Sequence, residues 1–120
     1  MKPMLIVCLT SFVACWCGCK EVFEKSLDKS HVTLLGPANN LVSGSANQSF
    51  FWQPIDSGIN YELQVVSPTF GSIGQVVADT VAARNLLPLS LEPGKYQWRV
   101  RAFNSSSSTP FSAPWTLTVQ

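Results

Sequence analysis

The chain has 120 residues, 46% of them hydrophobic and 12% charged, and a formal net charge of +1. Eight basic residues against seven acidic ones leave no excess of charge for nucleic acid or for an anionic lipid surface. There is no glycine-rich phosphate loop and no histidine pair, so neither a cofactor nor a metal is expected.

All four cysteines, Cys8, Cys15, Cys17 and Cys19, fall in the first nineteen residues. Thiols crowded there cannot staple the rest of a fold. The alternation of Cys15, Cys17 and Cys19 is also not the spacing of a zinc site. Lys2 gives a positive start, "MLIVCLTSFV" (Met4–Val13) is almost wholly apolar, and the apolar run ends near Gly18 ahead of "KEVFEKSLDKS". That layout is a secretory signal. Its apolar run, about fifteen residues, is shorter than the roughly twenty a membrane helix needs.

The stretch "WCGC" resembles the lipobox of bacterial lipoproteins. Gly18 and Cys19 occupy its two essential positions, while Trp16 stands where the motif has an aliphatic residue and Cys17 where it has Ala or Ser. The resemblance implies cleavage before Cys19 and a lipid on its sulfur. Three thiols are then discarded as ordinary apolar residues of a leader, and one becomes an attachment point. The expected division is a signal peptide over 1–18, a lipidated cysteine and tether over 19–30, and one domain over 31–120. Val22, Phe23 and Leu27 could share one side of two helical turns, but so short a helix is marginal in water, and the segment reads as tether. Eleven tether residues reach at most roughly 40 Å.

From His31 onward, turn residues separate short alternating runs about every ten residues, the pattern of an all-β sandwich. Seven strands are predicted. They are His31–Leu35, Gln48–Trp52, Asn60–Val66, Gly74–Thr80, Arg84–Leu91, Lys95–Phe103 and Trp115–Val119. In the third run Tyr61, Leu63 and Val65 face one way and Glu62, Gln64 and Val66 the other. A loop holding Pro68, Gly71 and Gly74 follows it. Pro88 marks the fifth run as an edge or irregular strand. In the sixth, Tyr96, Trp98, Val100 and Ala102 are expected to point inward, and Gln97, Arg99 and Arg101 outward. Trp115, Leu117 and Val119 are expected to point inward in the last.

Specific words in this region resemble a fibronectin type III domain. A proline turn follows the first strand ("LLGPANN"), a tryptophan ends the second ("FFWQP"), and a tyrosine opens the third ("YELQVV"). "LEPGKYQWRVRAFNSSSS" is similar to the family's L-x-P-G-x-x-Y-x-x-R-V-x-A-x-N pattern, with one residue fewer between Pro-Gly and Tyr. The resemblance implies an immunoglobulin-like antiparallel β-sandwich of about seven strands. It makes Tyr96 the corner tyrosine that bonds back to the preceding loop, and Trp52 the core tryptophan touching both sheets. Tyr61 and Trp98 complete the expected core aromatics. With the leader, the chain looks like the small single-domain lipoproteins of the Bacteroidota.

Contact residues are sought on the wet face and the loops. Arg99 and Arg101 line the wet face of one strand and Glu62 and Gln64 that of another, so Glu62 and one arginine can face each other if those strands pair. The plain reading is a solvated cross-strand ion pair, and the sharper one a charged ligand patch. Phe70 and Phe111 are the loop aromatics best placed to touch a sugar or protein partner, while Phe103 and Trp115 are expected to be mostly core. His31, the only histidine, has no triad partners, the serines lie in loops and strand edges, and Asp56 and Asp79 read as turn and strand-end residues. Asn47 and Asn104 begin glycosylation-type triplets and read as turn residues.

The expectation is a non-catalytic, lipid-anchored envelope module that binds a protein or polysaccharide. The alternative is a structural accessory subunit of a larger outer-membrane complex. Lys20 and Glu21 partly match the surface-export signals of this bacterial group. The outer membrane is therefore expected, with the leaflet left open.

Overall fold

The computed structural model describes residues 26–120. Cys19 and the leader lie outside them, as does most of the expected tether. Eight strands form: β1 (Leu34–Gly36), β2 (Leu41–Ser43), β3 (Asn47–Trp52), β4 (Asn60–Thr69), β5 (Ser72–Ala82), β6 (Leu86–Ser90), β7 (Gly94–Phe103) and β8 (Trp115–Val119). Among the described residues there is no helix. One sheet has the order β1-β3-β6 and the other β2-β8-β7-β4-β5. The architecture is an immunoglobulin-like β-sandwich.

Alternation builds the core. The inward residues of β7, Tyr96, Trp98, Val100 and Ala102, are buried, as are Tyr61, Leu63 and Val65 of β4. Among the described residues, two aromatic contacts join the sheets. Phe50 meets Trp98 edge-on at 5.0 Å, and Trp52 meets Tyr61 at 5.5 Å. Trp52 and Trp98 are fully buried, and neither indole Nε1–H finds an acceptor among the described residues. An unpaired donor costs about 1–3 kcal/mol. A buried aromatic of 150–250 Å² recovers roughly 4–6 kcal/mol at about 25 cal/mol/Å², so ring burial wins.

Four features depart from the sequence reading. First, Leu27 is fully buried and belongs to the core. Its N–H donates to Ser107 Oγ at 2.9 Å, and its carbonyl accepts from Ser30 N at 3.0 Å. The packed domain therefore starts ahead of His31, and the expected tether loses its last residues to the fold.

Second, β2 is an unpredicted strand. The turn at Asn39 and Asn40 carries the chain from one sheet to the other. Asn40 takes φ 67°, a conformation Asn tolerates, and Asn39 Oδ1 accepts from Thr116 N at 2.9 Å. β2 then pairs with β8 in parallel, so one pair in the sandwich is not antiparallel.

Third, β4 and β5 run past the predicted loop and close at Phe70–Gly71. Pro68 is tolerated because the β4–β5 register shifts beside it and again after Val65. Val66 follows the shift and pairs with Gln97. It is buried, yet outside the inter-sheet core. Fourth, Phe103 is only half-buried and not part of the core, because it continues the outward phase of Arg99 and Arg101. Trp115 is also half-buried, although it packs on Trp98 at 6.0 Å. β6, with Pro88 opposite Ser49, forms an edge of the smaller sheet.

Candidate functional site

The outer face of the larger sheet gathers the contact candidates. Arg99 and Arg101 project from β7 opposite Gln64 and Glu62 of β4. Arg101 Nε donates to Glu62 Oε1 at 2.7 Å, an ion pair between side chains 39% and 17% exposed. Arg99 Nε donates to Gln64 Oε1 at 2.8 Å, and Gln64 Nε2 donates to Asp79 Oδ2 at 3.2 Å. Each rung is thus a hydrogen-bonded row running across strands.

Both loop aromatics fold onto this face. The β4–β5 turn brings Phe70 beside β7, where its N–H donates to Gln97 Oε1 at 2.9 Å. Phe111 arrives from the other side. Residues 109–112 run along β7, with Thr109 N donating to Ala102 O and Ser112 N to Val100 O, both at 2.9 Å. The Ser112 and Thr109 hydroxyls return the favour, accepting from Val100 N at 3.2 Å and Ala102 N at 3.0 Å.

The result is a row in which cation and ring alternate. The Arg99 Cζ lies 4.1 Å from the Phe70 centroid and 4.3 Å from that of Phe111. Arg101 Cζ lies 5.0 Å from the Phe111 centroid. The two rings form no pair with each other among the described residues, so Arg99 separates them. Each such contact contributes about 0.5–1 kcal/mol at an exposed site. Their larger effect is on order: a free arginine carries about 2 kcal/mol of rotamer entropy, and these are already held.

The structure therefore brings Phe70, Arg99, Phe111 and Arg101 into one cluster. The sequence reading named all four but did not join them, and it missed Gln64 and Gln97 as the amides that hold Arg99 and Phe70. The only signal for the cluster was the outward phase of β7, which says nothing of where loops come to rest. Trp52, Tyr61, Tyr96 and Trp98 are core residues. Tyr96 Oη donates to Glu92 O at 2.6 Å, and Tyr61 Oη accepts from Ile55 N at 3.1 Å. Cys19 lies outside the described residues.

A cleft of about 240 Å³ opens beside Tyr96, lined by Ser67, Gln75 and Glu92 among others. Two of its hydroxyls are engaged, Tyr96 on Glu92 O and Ser67 on Lys95 O. Among the described residues no three of His, Cys, Asp and Glu come together as metal ligands.

No family model matches the chain, and no curated protein matches it. Among solved structures it is similar to the FN1–FN3 domains of chicken CNTN1 (19% identity, TM-score 0.49), covering 70% of this chain and 35% of that one. It is similar to the fibronectin(III)-like modules of Clostridium thermocellum CbhA (19% identity, TM-score 0.45), covering 73% and 92%. It is also similar to the fibronectin type III domain of human fibronectin type III domain containing protein 3 (21% identity, TM-score 0.47), covering 82% and 94%. The chain thus spans about a third of the first of these structures and nearly all of the other two.

Proposed function

We propose that this chain is a non-catalytic binding module of the bacterial cell envelope, held to the outer membrane by a lipid on Cys19. The observation that carries the binding reading is the row of alternating rings and guanidiniums on the outer sheet face. Two arginines fixed on an exposed surface, with their rotamers already restricted, reduce the entropy cost of binding. The partner is a protein or a polysaccharide of the envelope. The rings serve mainly to hold the arginines, because guanidiniums lie over the faces that a sugar would stack on.

Retention on envelope extracts and on immobilised glycans tests this reading. Phe70→Ala and Phe111→Ala are each expected to weaken capture of the dominant partner several-fold while the fold is kept. Unchanged capture by both variants removes the face from consideration. The anchor is tested by the intact mass of protein from bacterial membranes. Residues 19–120 plus lipid is the expected mass, and Cys19→Ala is expected to abolish it. A full-length mass, or a cleaved chain without lipid, overturns the anchor.

A second reading, an accessory subunit of an outer-membrane complex, draws on the opposite sheet. Leu35, Phe51 and Leu86 expose apolar side chains there, and Phe51 pairs directly with Leu86. It expects co-purification with one dominant complex, insensitive to Phe70→Ala.

A further inference from the structure

We propose that the guanidinium edges of Arg99 and Arg101 form a docking surface for an extended acidic segment of a partner protein, with carboxylates at alternate positions. This deepens the binding-module reading and rests on it.

The first support is donor supply. Each arginine commits its Nε, Arg99 to Gln64 and Arg101 to Glu62. Among the described residues, the Nη groups of neither make a hydrogen bond. A guanidinium offers five N–H donors in a fixed fork, so most of each fork remains available. That planar fork fits a carboxylate bidentately, which a lysine ammonium does not do.

The second support is charge. Glu62 offsets Arg101, whereas the hydrogen-bond partner of Arg99 is a neutral amide. The acid in its row, Asp79, sits on β5, two strands from β7. The Gln64 amide stands between the two side chains, bonded to Arg99 at 2.8 Å and to Asp79 at 3.2 Å, and so keeps the charges out of contact. Arg99 is therefore a held cation with no acid at ion-pairing distance among the described residues.

The third support is spacing. Arg99 and Arg101 stand two residues apart on one face of β7, about 6.6–6.8 Å along the strand. An extended peptide repeats its same-face side chains at that interval, so carboxylates at alternate positions meet both forks in register. The row lies on an open sheet face, which suits an extended ligand better than a compact one.

The experiment uses the full chain and fluorescence anisotropy with a labelled peptide of alternating Glu and Ser. A control peptide of the same composition carries its glutamates in one block, and an oligogalacturonate is tested as competitor. Expected are binding of the alternating peptide, weakening with added salt, and weaker binding of the blocked control. Arg99→Gln is expected to weaken binding roughly ten- to a hundredfold, the range for a charge-assisted hydrogen-bond pair. Arg99→Lys keeps the charge without the fork and is expected to fall between, which serves if the glutamine variant folds poorly.

No binding of the alternating peptide overturns the proposal. So does equal binding of the blocked control, or affinity unchanged in Arg99→Gln. If only the oligogalacturonate binds, and Arg99→Gln abolishes that, the protein segment is excluded while the binding module stands. The module itself fails separately, through partner capture that ignores Phe70→Ala and Phe111→Ala.

Discussion

Tyr96 ties the start of β7 to the loop that precedes it. Its ring is buried and its hydroxyl reaches back four residues to Glu92 O. Tyr96→Phe keeps the ring and removes the bond, leaving a half-buried carbonyl unpaired. A loss of about 1–1.5 kcal/mol is expected, read as a fall in Tm of roughly 4–10 °C. The residue was legible in the sequence because corner and core position coincide in one short word, "PGKY". The neighbouring arginines show the opposite case. Strand phase put Arg99 and Arg101 on the wet face, and a pairing of Glu62 with one of them followed from it, without saying which. The stacking of Phe70 and Phe111 did not, because it depends on where two loops settle, and loops carry no period.

At the scale of elements, β3, β4, β7 and β8 were legible because each alternates over a buried face. The elements that were missed lack that signal. β2 is three residues long and mostly exposed, so neither length nor alternation marks it. The β4–β5 arms were cut short in the reading because Pro68, Gly71 and Gly74 look like loop. Two register shifts let the ladder pass them. Leu27 was missed for another reason: grouped with Val22 and Phe23 on one side of a helix too short to stand alone, it went with the tether. It is nonetheless fully buried. Leu27→Ala is therefore expected to cost about 2–5 kcal/mol, the range for core leucine truncation, measured by denaturant unfolding of the full chain. A change below about 0.5 kcal/mol, typical of a surface position, means that residues 26–30 are tether after all.

At the scale of the whole molecule, the plug made by Leu27 sets where the N-terminal segment leaves the domain. Leu27 bonds to Ser107, beyond the end of β7, whereas Phe70 lies at the opposite end of the sheet, because β4 and β7 run antiparallel. With a lipid on Cys19, the stretch from Cys19 to Leu27 reaches at most roughly 28 Å, about two thirds of the leash read from sequence. The tether then leaves the sandwich at its β7–β8 loop end. Arg99 lies about 13 Å along β7 from that end, at four residues from Phe103. Under the proposed anchor, the two lengths together keep the row within roughly 40 Å of the bilayer. That reach is short enough for the proposed partner to be one rooted in the same bilayer.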